Sequence, residues 1–88
     1  MGLTGDDIRN FRFRKPAIGR RGYRREDVEA FLARVASALD GSGPAVTASE
    51  IHDAAFRKPP IGNRGYDEQQ VDDLLDQIEA ESKVRFGA

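Results

Sequence analysis

The stretch F-R-K-P-A-I-G-R-R-G-Y, residues 13–23, returns as F-R-K-P-P-I-G-N-R-G-Y at residues 56–66. Nine of the eleven positions are identical, and the copies lie 43 residues apart. Working outward, residues 3–36 and 46–79 align without a gap, with 13 of 34 pairs identical. Self-similarity at a fixed offset means one supersecondary unit used twice. Core positions tolerate apolar exchange, so identity concentrated in a Gly/Pro-bearing loop points to a copied backbone shape or a copied binding tip.

The chain has 88 residues, enough for one small domain or two halves sharing one core. Each unit alone is about 40 residues, at the limit for independent folding without staples. There is no cysteine to supply a disulfide. That fits a reducing compartment. No membrane-span-length apolar run and no secretory signal is seen, so a cytoplasmic protein is expected.

Net charge is −1, but it is unevenly spread. Eight basic residues and no acid lie between Arg9 and Arg25. The matching Ala54–Tyr66 stretch carries Arg57, Lys58 and Arg64, again without an acid. Such segments suit anionic partners: lipid headgroups, nucleic acid or an acidic protein face.

Each unit opens with a helix start. Thr4 with Asp7, and Thr47 with Glu50, have capping-box spacing. Leu3 with Ile8, and Val46 with Ile51, have hydrophobic-staple spacing. Short helices are expected over roughly Gly5–Phe11 and Ala48–Ala55, before Pro16 and Pro59 forbid continuation. Gly19, Gly22, Gly62 and Gly65 shape the copied loops, and Gly22 and Gly65, each just before a tyrosine, are expected to supply a positive φ that other residues dislike. Tyr23 and Tyr66 follow a glycine each and are expected to be largely buried against the long helices.

Val28, Phe31, Leu32, Val35, Ala36 and Leu39 recur at helical spacing, as do Val71, Leu74, Leu75 and Ile78. The second long helix is expected from Asp67, as cap, to about Val84, its apolar stripe lapsing at Ser82. Arg24 stands where the second unit has Asp67, a poorer cap by about 1 kcal/mol. Gly41–Ala45 forms a linker. The expected fold is all-α: two short-helix/loop/long-helix repeats, 1–40 and 46–88, packed as a pseudo-two-fold four-helix bundle with one shared core. Val28, Phe31, Leu32 and Val35 would face Val71, Leu74, Leu75 and Ile78, with the long helices parallel.

No catalytic constellation is visible. One His and no Cys offer no nucleophile–base pair and no zinc set. His52 aligns with Arg9 and reads as a surface or hydrogen-bonding residue. Asp72, Asp73, Asp76 and Glu79 read as a solvated helix face rather than a metal site. No cofactor is expected.

The two copies resemble the N-terminal domain of DivIVA, the bacterial division and cell-pole scaffold. The motif is most similar to actinobacterial members. The resemblance implies a short helix, a loop and a helix that pairs in a parallel dimer, with crossed loops touching the membrane through an apolar residue and a neighbouring arginine. Carried onto this chain, the arginines are Arg21 and Arg64, with Arg20 beside them, and the apolar residues are Ile18 and Ile61. The tandem repeat would replace the homodimer by an intramolecular pair, giving a monomer or weak homodimer.

Family members continue into a long coiled coil, whereas this chain stops at Ala88. Polar assembly by this chain alone is therefore not expected. The leading expectation is a non-enzymatic adaptor or scaffold at the inner face of the cell membrane, working with other division or polar scaffold proteins. A soluble module pairing with a DivIVA-type scaffold is the alternative. Nucleic-acid binding is disfavoured by the near-neutral total charge and the acidic helix after the basic segment.

Overall fold

The computed structural model describes residues 2–86. It is all-helical, with four helices and no strand among the described residues. Residues 1, 87 and 88, inside the two expected units, lie outside the described residues.

Helix α1 spans Gly5–Arg9. The Thr4 hydroxyl accepts the Asp7 N–H at 3.2 Å, and the Asp7 carboxylate accepts the Thr4 N–H at 3.0 Å. The capping box is therefore closed. Helix α2 spans Arg25–Asp40 and starts without a side-chain cap, because Arg24 stands at that position. It ends on Gly41, left-handed at φ 77°. Helix α3 spans Ala48–His52 and is capped by Thr47, whose hydroxyl accepts the Glu50 N–H at 3.1 Å. Glu50 itself turns to Arg34 on α2, at 3.0 Å. Helix α4 spans Glu68–Phe86.

The short helices end earlier than their sequences suggest, at Arg9 and His52 instead of Phe11 and Ala55. Just past the end of α1, Phe11 and Phe13 meet at 4.7 Å between ring centroids. The second long helix runs past the expected Val84. Its stripe does not lapse at Ser82, which is 2% exposed and donates its hydroxyl proton to the Val46 carbonyl at 2.6 Å. That bond satisfies a polar group that burial would otherwise penalise.

Helix α1 packs on α2 and α3 on α4. Ile8, Val28, Leu32, Val35, Ile51, Val71, Leu74 and Ile78 belong to a single buried cluster fed by both halves. Phe31 and Leu75, expected inside, are only partly buried. The aligned pairs exchange roles. Leu32 is buried where its counterpart Leu75 is not, and Leu74 is buried where its counterpart Phe31 is not. Phe31 leans instead edge-on to Phe56, 5.9 Å away.

The far end of α4 ties three segments together. The Arg85 guanidinium donates to the Leu39 carbonyl at 3.0 Å and to the Leu3 carbonyl at 3.1 Å. Glu81 accepts the Leu3 N–H at 3.1 Å and pairs with Arg85 at 2.7 Å. These bonds, with that of Ser82, fasten the start of each unit to α4.

Truncation should follow burial. Ile78→Ala removes a side chain that is 1% exposed and should cost about 2–5 kcal/mol in urea denaturation. Leu75→Ala, at a partly buried position, should cost clearly less.

Candidate functional site

The two copied loops meet across one antiparallel pair of residues, Tyr23 and Tyr66. The Tyr23 N–H donates to the Tyr66 carbonyl at 3.0 Å, and the Tyr66 N–H to the Tyr23 carbonyl at 2.9 Å. Neighbouring bonds repeat at the same offset of 43. Arg24 N–H donates to the Arg57 carbonyl at 2.8 Å, and Asp67 N–H to the Arg14 carbonyl at 3.0 Å. Gln70 accepts the Arg14 N–H at 2.6 Å, and its counterpart Asp27 accepts the Arg57 N–H at 3.1 Å. The loops thus dock on each other and on the start of the opposite unit's long helix.

Two glycines permit this approach for different reasons. Gly22 sits at φ 75°, where a side chain is strained, and a Cβ there would also strike the Tyr66 carbonyl oxygen. Gly65, expected to need the same conformation, is not among the positive-φ glycines. Its constraint is space alone, since a Cβ would overlap the Tyr23 carbonyl.

The tyrosine rings cross over as well. Tyr66 stacks on Phe13 at 4.6 Å, and Tyr23 packs against Phe56 at 5.4 Å. Both are only partly buried, less than expected. Their hydroxyls reach the opposite unit's helix: Tyr23 donates to Asp72 at 3.0 Å and Tyr66 to Glu29 at 2.6 Å. Desolvation first, then the carboxylate that accepts each proton, pushes both phenols up to about 12.

Asp27 is held down to about 2, chiefly by hydrogen bonds from the Arg57 side chain and then its backbone N–H. The two guanidinium bonds measure 3.0 and 2.9 Å.

Beyond this docking region each loop ends in a tight turn. Arg20 N–H donates to the Ala17 carbonyl, and Asn63 N–H to the Pro60 carbonyl, both at 3.0 Å. Gly19 at φ 86° and Gly62 at φ 92° fill the third position, the one a type II turn reserves for glycine. The second position falls to isoleucine in both copies. Ile18 is 97% exposed and Ile61 94%. The repeated Ile-Gly dipeptide therefore holds an apolar side chain out into solvent twice.

Arg21 and Arg64, which the resemblance places at the membrane, are exposed and also bridge the two loops. Each donates from its guanidinium to the opposite loop, Arg21 to the Pro59 carbonyl and Arg64 to the Pro16 carbonyl. They staple the two loops. Arg20 remains at the turn. Among the described residues, no carboxylate lies within ion-pair distance of Arg12, Lys15, Arg20, Arg21, Arg25 or Arg64. His52, read as a surface residue, is exposed and lies 3.4 Å from Glu79. Among the described residues no group of acids, His or Cys is arranged to hold a metal, and no helix is long and apolar enough to cross a membrane.

Comparison with known proteins gives one partial likeness. Over 39 residues the chain is 53% identical to the cell wall synthesis protein Wag31 of Mycobacterium tuberculosis strain H37Rv, covering 44% of this chain and 15% of Wag31. The proteins of the same name in Mycobacterium leprae and Mycolicibacterium smegmatis match equally, over 15% and 14% of their lengths. The chain therefore spans only a small part of these relatives. The matched length is about that of one copy, and it supports the DivIVA relationship drawn from the motif. No family model matches, and no solved structure matches.

Two measurements test this geometry. Gly22→Ala and Gly65→Ala should both destabilise strongly. Gly19→Ala, with no neighbour near its Cβ, should cost only the local strain, about 1–2 kcal/mol. Absorbance titration should show both phenols ionising near about 12. Their folded pKa lies above the unfolded value of about 10. The stability they contribute is thus complete below pH ~10 and lost as pH rises to about 12. Glu29→Gln should bring Tyr66 part of the way down.

Proposed function

We propose that this chain is a non-enzymatic adaptor or scaffold module that rests on anionic membrane through its two loop tips. The carrying observation is the pair of isoleucines, 97% and 94% exposed, on two copied turns in an acid-free basic segment. An apolar side chain held in water at a turn is unfavourable unless something receives it. Basic side chains near an anionic surface contribute about 1 kcal/mol each. Two inserted isoleucines and a few cations give reversible attachment rather than a permanent anchor.

The two units are read as related by a pseudo-two-fold axis with parallel long helices. Reciprocal bonds at Tyr23 and Tyr66 join them at the loop end, and Arg85 joins α4 to the end of α2 at the other. In this arrangement both tips face the same way, as one flat surface requires. The partial likeness to Wag31, by name a cell wall synthesis protein, supports a role in bacterial cell-wall growth or division at the inner face of the membrane.

One observation favours a second reading. Arg21 and Arg64 serve the docking of one loop on the other, so part of the copied motif is explained without lipid. That reading is a soluble adaptor pairing with a DivIVA-type scaffold.

Vesicle co-sedimentation separates the two. Ile18→Asn/Ile61→Asn should abolish binding to anionic vesicles while leaving the helical signal and thermal midpoint unchanged. Arg34→Ala, an exposed site paired with Glu50 on α3, should bind as wild type. Raising salt should weaken wild-type binding. Full lipid binding by the isoleucine double variant, or none by the wild type, would favour the soluble adaptor.

A further inference from the structure

The two sides of the tip are not electrically equivalent. Under the second turn lies an open groove lined by Arg14, Lys15, Arg25 and Arg64, with Asn63 and no acid. On the other side, a groove holds Arg20 together with Asp67, Glu68 and Asp72. The asymmetry traces to two aligned pairs, Arg24 with Asp67 and Arg25 with Glu68. Glu68 pairs with Lys58 and offsets part of its charge. Its counterpart is Arg25, so Lys15, the counterpart of Lys58, meets a second cation instead of an acid.

Like charges converging on a groove are costly without an anion between them. Two of these cations are already held in place. Arg64 is fixed by the Pro16 carbonyl. Arg14 is anchored by Gln70 at its backbone N–H, and its guanidinium lies 3.4 Å from Asp67, which offsets part of its charge. Arg25 is close enough to Tyr66 to draw down its phenol's pKa, against the larger upward influences. Fixed guanidinium donors and an ammonium suit phosphate oxygens.

We propose that the Arg14–Lys15–Arg25–Arg64 groove is a binding site for a dianionic phosphate monoester, and that the opposite groove is not. Such a group carries about two negative charges near pH 7, which the cations of this groove balance better than they would a singly charged phosphodiester. The group could come from a soluble phosphate compound or from a lipid headgroup of phosphatidic-acid type. For the lipid source the inference rests on the membrane reading above; for the soluble source it stands alone.

The two units supply the test variants. Arg25→Glu gives Lys15 the kind of partner that Lys58 has in Glu68. Glu68→Arg removes one of the three acids on the opposite side and releases Lys58 from its partner, leaving Asp67 and Asp72 in place. Inorganic phosphate is titrated into each full-length protein and followed by amide chemical shifts. In the wild type the shifts should gather at Gly62, Asn63 and Gly65. Arg25→Glu should weaken them about tenfold or more. Glu68→Arg should add only a weaker second set at Gly19, Arg20 and Gly22, because Asp67 and Asp72 stay in that groove. Equal phosphate affinity in Arg25→Glu, or shifts spread evenly over all basic segments, would overturn the site.

Vesicles of phosphatidylcholine with phosphatidic acid or with phosphatidylglycerol, matched in charge, identify the source. A preference for phosphatidic acid that Arg25→Glu loses supports a lipid headgroup. Localised phosphate binding without that preference supports a soluble phosphate. Sedimentation with both lipids but a flat phosphate titration overturns the groove and leaves the membrane reading standing. Phosphate binding without any sedimentation sinks the membrane reading and keeps the groove.

Discussion

The reciprocal backbone pair between Tyr23 and Tyr66 is the constraint on which the rest depends. Two main chains can exchange hydrogen bonds here only if the residues before each tyrosine bring no Cβ into the gap. That accounts for Gly22 and Gly65. Once the backbones touch, each arginine one position earlier reaches a proline carbonyl of the other loop, and each phenol reaches the other unit's helix. Polar groups that loops usually leave to water are satisfied by the opposite copy. The pair therefore acts as a local sheet of two residues inside an all-helical molecule.

Both units contribute to one buried cluster. The short helices pack within their own units, but the buried cluster draws on both stripes. Each loop finds its acceptors in its partner. A unit of about 40 residues buries too little surface to offset its own chain entropy. Joining two units through Gly41–Ala45 makes their meeting intramolecular and removes its dependence on concentration. The bonds from Ser82 to Val46, and from Arg85 to Leu39 and Leu3, close the end opposite the loops.

Local signals were legible in the sequence and distant ones were not. Thr4 with Asp7, the apolar stripes and the uncapped start at Arg24 depend on neighbours within a few residues, so their spacing reveals them. Ser82 looked like the end of a stripe because its partner, the Val46 carbonyl, is 36 residues away in the chain. Gly65 looked like a positive-φ glycine because its copy Gly22 is one; its actual constraint is the backbone of Tyr23. The loop-to-loop bonds of Arg21 and Arg64 were not legible, because a loop sequence does not reveal that another loop's carbonyl lies within reach. Ile18 and Ile61 were legible as apolar loop residues, while their exposure follows from the turns that Gly19 and Gly62 impose.

A fused pair also has a freedom that a homodimer lacks. Two identical chains about a true two-fold axis must present identical tips. Here the backbone contacts remain nearly symmetric while the side chains around them have separated. Residues 24 and 25 are both arginine; their counterparts 67 and 68 are both acids. The backbone bonds of Arg24 and Asp67 are unaffected by the exchange, since they use main-chain N–H and C=O groups alone. The exchange does alter the field. Glu68 offsets the charge of Lys58, whereas Lys15 meets Arg25 instead of a carboxylate. A main-chain scaffold that is indifferent to side-chain charge lets one side of the tip become strongly cationic without loosening the fold.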